Sequence, residues 1–199
     1  MRLDYSIVAD WVTNDSRVLD LGCGDGSLLK QLELQKNIQA YGVEIDEDNI
    51  LECVKNGINV IDQDIEKQLG QYPDNSFDTV IMSQAIQTLT RPDLSLKEML
   101  RIGRECIVTF PNFGHWKARL MLATKGRMPV SDLLPYEWYD TPNIHFCTFK
   151  DFDIMCHSVK ACIINRESIA TQSFGQSLQK VYPNLFSETA LYRVKACNT

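Results

Sequence analysis

The sequence predicts an α/β fold in which a mostly parallel sheet is covered by helices on both faces. Three observations support this prediction. Short apolar runs alternate with segments of helical periodicity, a glycine-rich loop follows the first apolar run, and acidic residues stand where later runs end. Strands joined through right-handed helical crossovers are parallel, and a parallel sheet is buried on both faces. The chain of 199 residues is short enough for one core, so residues 1–199 are expected to form a single domain.

The elements of the first half follow in order. A leading helix is expected at residues 4–12, and Val18, Leu19 and Leu21 predict the first buried strand. Leu28, Leu29 and Leu32 have helical spacing and predict the helix after it. The sequence then predicts a strand at 40–46, a helix at 46–55, a strand at 58–61 and a strand at 77–83.

The second half supplies the remaining three strands. Pro92 is suited to the start of a helix expected at 92–101, and a fifth strand at 106–110 ends at Pro111. Two last strands are expected at 161–164 and 189–194, which makes seven. The intervening stretch, here called the 111–147 segment, is too long for an ordinary loop and mixes aromatic residues with prolines. We predict that it forms a lid.

The loop after the first strand has the pattern G-x-G-x-G. Because Gly22, Gly24 and Gly26 lack a Cβ, they can adopt positive φ and let a ligand approach the main chain and the amides of the following helix. A dinucleotide fingerprint needs a third glycine at the position of Ser27. The pattern therefore argues against a pyrophosphate site, although an isolated motif of this kind can also be a turn that binds nothing.

Acidic residues at the next strand ends favour the binding interpretation. Glu44 stands about twenty residues beyond the loop, where a carboxylate can accept hydrogen bonds from a ribose diol. Asp62 and Asp64 compete for a contact with an exocyclic amine, and Ile65 offers an apolar side for a flat ring. Since the carboxyl ends of parallel strands meet at one edge of a sheet, these groups are expected to converge on one crevice.

These positions resemble the class I S-adenosylmethionine-dependent methyltransferases over about residues 16–112. The resemblance implies a Rossmann-like sheet whose last strand runs antiparallel between the fifth and sixth, and it implies S-adenosylmethionine or S-adenosylhomocysteine as cofactor. It assigns the methionine portion to Asp20 and the loop, the ribose to Glu44, the adenine to Asp64 and Ile65, and the sulfonium border to Ser83 and Gln84. The full set of expected cofactor contacts is Asp20, Gly22, Cys23, Gly24, Gly26, Glu44, Ile45, Asp64, Ile65, Ser83 and Gln84.

Longer motifs narrow the resemblance to one family. The runs at 110–116, 126–130 and 134–145, together with Trp11 and the glycine loop, are similar to the MetW family of methionine-biosynthesis proteins over nearly the whole chain. This resemblance implies that the protein acts with a homoserine O-acyltransferase whose activity it supports. It leaves three functions open: such an accessory role, a stand-alone small-molecule methyltransferase, and a nicotinamide-dependent oxidoreductase, which Ser27 disfavours.

If the chain is a catalyst, three polar residues of the 111–147 segment are candidates to surround a methyl acceptor. They are Tyr139, Asn143 and His145, with His145 as a proton acceptor. A lone histidine is more often structural. The aromatic residues of the segment can equally form its own core or a partner interface, since interfaces are enriched in Tyr and Trp.

The charge of the chain bears on which kinds of partner it can bind. The net charge of −6 argues against nucleic acid as a partner. Residues 106–131 are the exception, because Lys117, Arg119, Lys125 and Arg127 occur there without an acid, either as a solvated face or as a site for an anionic substrate or acidic partner.

The seven cysteines form no C-x-x-C pair and are odd in number, so we expect reduced thiols and no metal site. With no apolar run long enough to cross a bilayer and no signal-peptide core at the start, the sequence predicts no membrane association and a cytoplasmic protein.

Overall fold

A computed structural model describes residues 3–67, 69–131, 134–171 and 173–197. The strands are β1 (Arg17–Leu21), β2 (Gln39–Glu44), β3 (Asn59–Asp62), β4 (Phe77–Ser83), β5 (Gly103–Pro111), β6 (Ala161–Ile169) and β7 (Thr189–Ala196). The helices are α1 (Leu3–Trp11), α2 (Ser27–Lys36), α3 (Glu47–Lys55), α4 (Pro92–Ile102), α5 (Trp116–Lys125), α6 (Phe149–Ser158), α7 (Ser173–Leu178) and α8 (Pro183–Phe186).

The strands form one seven-stranded sheet in the order β3-β2-β1-β4-β5-β7-β6. Neighbours from β3 to β5 pair in parallel, whereas β7 runs antiparallel to both β5 and β6. The predicted fold class is therefore confirmed, including the antiparallel last strand between the fifth and sixth. The strand order reverses between β1 and β4, and ligands in open α/β sheets bind at such a switch point.

Two apolar layers cover the sheet, one on each face. Side chains alternate along the central strands, so that Val80 and Met82 enter one layer while Ile81 enters the other. The first layer packs the strands against α4 and α6, and the second packs them against α1, α2 and α3. Because both faces of the sheet are buried, a ligand can reach the central strands at their ends.

Several element boundaries differ from the predicted ones. β2 ends at Glu44 rather than at residue 46, because Asp46 caps α3 by accepting a hydrogen bond from the amide of Asn49 at 3.0 Å. β6 continues to Ile169 although most of its residues are exposed, because β7 pairs with it along its length. An exposed edge strand carries no apolar pattern from which its length could be predicted.

The expectation that all cysteines are reduced is wrong for two of them. Cys162 and Cys197 form a disulfide, with their Cα atoms 5.1 Å apart. The pairing of β6 with β7 brings together these two residues, which are 35 positions apart in the sequence. The other cysteines are free, and four of them are buried. Among the described helices, none has the length and apolar character needed to span a membrane.

Candidate functional site

A cleft of about 430 Å³ lies where β1 and β4 end, at the switch point of the sheet. The glycine loop between β1 and α2 forms one wall, and the residues after β4 form another. Its lining residues are Tyr5, Asp20, Gly22, Cys23, Gly24, Asp25, Ser27, Leu28, Asn49, Ser83 and Gln84. They include two carboxylates and no lysine or arginine. The cleft therefore suits a cationic ligand better than a phosphate.

The three loop glycines all have positive φ, at 74°, 56° and 74° for Gly22, Gly24 and Gly26. The amides of Gly22 and Cys23 donate to the carbonyl of Val43, which fastens the loop to the end of β2. A Cβ on Gly26 would come within 2.9 Å of the Cys53 sulfur, whereas a Cβ on Gly24 would meet nothing within 4 Å. Gly26 is thus needed for packing, while Gly24 faces open space at the cleft.

This difference predicts opposite phenotypes for two matched substitutions. Gly26→Ala should lower the free energy of unfolding by roughly 1–3 kcal/mol, through strain at positive φ and the clash with Cys53. Gly24→Ala carries the strain without the clash, so it should lose less stability but reduce ligand affinity by placing a methyl group beside the cleft. Chemical denaturation and calorimetric titration of both variants check this, and equal losses of stability would contradict it.

Asp20 is the most unusual residue of the cleft. Its side chain is 1% exposed, and its Oδ1 has no hydrogen-bond partner among the described residues. Burial, with a smaller effect from Glu44, raises the pKa of the Asp20 carboxyl to about 7. A buried polar atom without a partner is costly and commonly marks a functional site. The Asp20 carboxyl can therefore accept a hydrogen bond from a ligand or pair with a cationic group.

Glu44 is held firmly by the main chain. Its Oε2 accepts from the amide of Gly24 at 2.8 Å, and its Oε1 accepts from the amides of Ile45 and Asp46 at 2.8 and 3.0 Å. A carboxylate offers about four acceptor positions, so this arrangement leaves one of them on Oε2. Glu44 thus fixes the shape of the glycine loop and retains the capacity to accept one more hydrogen bond.

The end of β4 is held by a residue that the sequence did not reveal. Thr109 pairs in register with Ser83, and their hydroxyls lie 3.1 Å apart. The Gln84 amide donates to the Thr109 carbonyl at 2.9 Å, and Gln84 Nε2 donates to the Thr109 hydroxyl at 3.2 Å. Gln84 has a φ of 58°, which is uncommon for a residue with a side chain. Thr109 therefore orients Ser83, the last residue of β4, and Gln84, which follows it.

Five of the expected cofactor contacts do not line this cleft: Gly26, Glu44, Ile45, Asp64 and Ile65. Gly26 packs beside Cys53, and Glu44 reaches the site only through its hydrogen bond with the Gly24 amide. Ile45 is largely exposed, and Ile65 packs against the hydrophobic core. Asp64 lies in the loop after β3, and its carboxylate is 2.7 Å from the ammonium of Lys67. The hydrogen bond from Lys67 lowers the pKa of Asp64. The structure thus brings Asp20, the loop and the end of β4 together, while the proposed adenine residues stand apart from the cleft.

Five lining residues were not expected as cofactor contacts: Asp25 of the loop, Ser27 and Leu28 at the start of α2, Tyr5 of α1 and Asn49 of α3. Tyr5 lies on α1, and its hydroxyl is 3.2 Å from the hydroxyl of Ser27 at the start of α2. Asn49 lies in the first turns of α3 and lines the same cleft. Helical periodicity predicted these helices but not which of their polar residues meets the loop.

The three catalytic candidates do not line the cleft. Tyr139 is 71% exposed and contacts Trp138 edge to face. Asn143 accepts a hydrogen bond from Gln87 Nε2 at 3.1 Å, and the same nitrogen donates to the carbonyl of Gln84 at 2.7 Å. The amide of His145 donates to the carbonyl of Gln87. Gln87, which the sequence analysis did not single out, therefore links Asn143 and His145 to the edge of the cleft.

No group of three potential metal-ligating side chains occurs within the described ranges. His145 Nε2 lies 3.3 Å from the carbonyl of Thr90 and borders a separate, mainly apolar pocket of about 220 Å³. The polar side chains that line the cofactor cleft are carboxylates, amides, hydroxyls and the thiol of Cys23.

A family model described as "Methionine biosynthesis protein MetW" matches residues 2–194. The chain belongs to the MetW family. It is 31% identical over 201 residues to the "Bifunctional methionine biosynthesis protein MetXA/MetW" of Rhodopirellula baltica, with 96% of this chain and 32% of that relative covered. The chain therefore spans about a third of the length of this curated relative.

Solved structures share the fold. The chain superposes on an S-adenosylmethionine-dependent methyltransferase from Mesorhizobium loti with a TM-score of 0.71 and 13% identity, covering 96% of both chains. The cyclase SpnF gives a TM-score of 0.69 and 16% identity, covering 98% of this chain and 81% of that one. At these identities the likeness shows the fold alone. One of these two neighbours is named a methyltransferase and the other a cyclase, so the fold does not determine the reaction.

Proposed function

We propose that the cleft binds S-adenosylmethionine or S-adenosylhomocysteine. The observation that carries this proposal is the buried Asp20, whose Oδ1 has no partner within the described residues, beside an open glycine loop. The residues present fit these ligands, since both carry an ammonium group, S-adenosylmethionine adds a sulfonium, and neither has a phosphate. When bound, S-adenosylmethionine supplies an electrophilic methyl group.

Each wall of the cleft has a role in this proposal. Asp20 accepts from the ammonium group, and the open space beside Gly24 lets the methionine portion approach the main chain of the loop. Glu44 accepts from a ribose hydroxyl at its remaining position. Ser83 and Gln84, held by Thr109, border the sulfonium. The adenine lies toward Ile45, Asp64 and Ile65, beyond the lined cleft.

We further propose that the protein supports a homoserine O-acyltransferase of methionine biosynthesis. The R. baltica relative carries MetXA and MetW names in a single chain, which supports physical proximity of the two activities. The 111–147 segment is a suitable contact surface, because Trp138, Tyr139 and Phe146 are exposed there and interfaces are enriched in aromatic residues. Cofactor occupancy would be transmitted from Gln84 through Gln87 to Asn143.

The basic residues of α5 do not contribute equally to this surface. Arg119 Nε donates to the carbonyl of Gly114 at 2.5 Å, so it has a structural role at the start of the segment. Arg127 lies 4.0 Å from Glu137 on the surface, and Lys125 is exposed at the end of α5. A charge-reversal test of partner binding should therefore use Lys125 and Arg127 and leave Arg119 intact.

The test is an assay of homoserine acylation by the purified acyltransferase, with and without this protein, across a titration of S-adenosylmethionine. We expect the acylation rate to depend on this protein and to change saturably with the cofactor. Glu44→Gln should shift the cofactor response to higher concentrations of S-adenosylmethionine, while Glu47→Gln, at an exposed acid on α3, should leave the response unchanged. A rate that is unaffected by this protein at every cofactor concentration would overturn the accessory role.

A stand-alone small-molecule methyltransferase is the second candidate. It is favoured by the hydrogen-bonded path from Gln84 through Gln87 to Asn143, which places polar groups of the 111–147 segment next to the cleft. Methyl transfer needs mainly alignment and exclusion of water, so no dedicated base is required. Formation of S-adenosylhomocysteine by the isolated protein with a defined acceptor would establish this function in place of the accessory role.

We also propose a cytoplasmic location. Cys23 and Cys53 remain unbonded although their sulfurs are 3.7 Å apart, which is typical of a reducing compartment. The Cys162–Cys197 disulfide argues against a reducing compartment. Labelling of free thiols in intact cells tests the proposed location.

A further inference from the structure

A second cavity of about 430 Å³ lies between α5, the beginning of β7 and residues 129–131 of the 111–147 segment. It shares no lining residue with the cofactor cleft. One wall carries Lys117, another carries Thr171 and Glu188, and His115 lies between α5 and the end of β5. The cavity is therefore a separate site that the proposed cofactor does not use.

His115 is the first indication that this cavity takes a ligand. The side chain is 6% exposed and lines the cavity. Burial lowers the pKa of His115, with smaller effects from Glu188, which raises it, and Lys117, which lowers it. The imidazole is therefore neutral at neutral pH, and it offers a ligand in the cavity one donor and one acceptor.

Two opposite charges border the same cavity. Glu188 accepts from the Thr171 hydroxyl at 2.5 Å through Oε2, so its carboxylate has a fixed orientation. Lys117 lies in the first turn of α5, with its ammonium 6.0 Å from the centre of the Trp116 ring. The start of α5 also favours a negative group, because its amides and dipole point outward. The cavity therefore offers one partner for a cation and one for an anion.

The rest of the lining combines apolar and polar residues. Ala118, Met121, Pro129 and Val130 are apolar, and Asn112, Ser131 and Thr189 are polar. A cavity with an acid, a base and an apolar part favours a ligand that carries both charges and a hydrocarbon group. The arrangement matches a molecule with adjacent positive and negative groups and a short hydrocarbon chain.

We propose that this cavity binds a free α-amino acid with a short aliphatic or thioether side chain. The ammonium group pairs with Glu188, the carboxylate pairs with Lys117 and accepts from His115, and the side chain covers Met121 and Val130. The site is independent of the proposed cofactor function, because the two pockets have no residue in common.

Calorimetric titration of the full chain with L-methionine, which has a thioether side chain, and with L-leucine, which has an aliphatic one, tests the proposal. Two analogues are titrated in parallel: 3-methylthiopropylamine, which lacks the carboxylate, and 4-methylthiobutanoate, which lacks the ammonium group. We expect saturable binding of at least one amino acid and affinities lower by roughly tenfold or more for both analogues, since each loses one charge-assisted contact. Absence of saturable binding of both amino acids, or equal affinity for either analogue, would overturn it.

Two substitutions locate the binding. Glu188→Gln keeps an oxygen for Thr171 but removes the charge, and Lys117→Met keeps the length of an exposed side chain. Each should weaken amino-acid binding by roughly tenfold, whereas Lys125→Met on the same helix should leave it unchanged. Both variants should still bind S-adenosylhomocysteine, and this binding would show that their fold is intact. Unchanged amino-acid affinity in both variants would overturn the assignment.

Discussion

Asp20→Asn is expected to stabilise the protein at pH 8 while weakening its binding of S-adenosylmethionine. The folded-state pKa of Asp20 is about 7, above its ordinary value of 3.8, so the folded protein retains a proton that the unfolded chain loses between these values. The stability contributed by the protonated carboxyl is therefore lost as the pH rises from about 4 to about 7, and the loss is complete above that range. Asparagine has no charge to bury and avoids this loss.

The size of the effect follows from the shift. A pKa raised by about 3 corresponds to at most roughly 4 kcal/mol, and we expect Asp20→Asn to recover about 1–3 kcal/mol at pH 8, because the new amide is itself buried. Denaturation at pH 5 and pH 8 measures this. Asp48→Asn, an exposed acid on α3, is the matched control and should change nothing. Wild-type stability that rises steadily from pH 5 to pH 8 and equals that of Asp20→Asn would contradict this interpretation.

Ligand binding should respond in the opposite direction. A bound cation favours the ionised form of Asp20, so the wild-type affinity for S-adenosylmethionine should increase between pH 6 and pH 8 as the proton is released. Asp20→Asn should bind at least roughly tenfold more weakly at pH 8 and lose this pH dependence. A variant that gains stability but keeps full affinity would show that the orphaned carboxyl has no part in binding.

Glu44→Ala should abolish measurable binding of S-adenosylhomocysteine while the far-ultraviolet dichroism stays native. The substitution removes the acceptor proposed for the ribose and also frees three amides, those of Gly24, Ile45 and Asp46. Losing one charge-assisted bond to the ligand and the fixed loop together should reduce affinity by roughly a hundredfold or more. The backbone of β2 ends at this residue, so the sheet itself is not disturbed.

Glu44→Gln separates the two roles of this residue. Its carbonyl oxygen can still accept from Ile45 and Asp46, but its amide nitrogen would face the donor of Gly24. We therefore expect an intermediate affinity by calorimetry, with Glu47→Gln unchanged as the matched control. Unaltered affinity in Glu44→Ala would reject the assigned cleft.

The parts of the fold that were predictable from sequence depend on local pattern. The consecutive apolar residues Val80, Ile81 and Met82 of β4 reflect burial on both faces of the sheet, and Leu28, Leu29 and Leu32 have helical spacing; the structure places all of them in the core. The Cys162–Cys197 bond could not be predicted, because it depends on which distant strands pair. The length of the exposed strand β6 was missed for the same reason.

The residues of the site also divide into those that the sequence revealed and those that only the structure revealed. Glycine is strongly favoured where φ is positive and the main chain is approached closely, so the loop with its three glycines was visible in the sequence. Thr109 and Gln87 are ordinary residues within or after strands, and their roles arise only from the side chains they meet. Tyr139 was a candidate by residue type alone, yet it lies on the surface.

Calorimetric titration of the purified wild-type protein with S-adenosylhomocysteine tests the central claim most directly. We expect one saturable site per chain, from which S-adenosylmethionine displaces the bound ligand at pH 8. The absence of saturable heat for both nucleosides, with the protein shown to be folded by its dichroism, would contradict the assignment of the cleft beside Asp20.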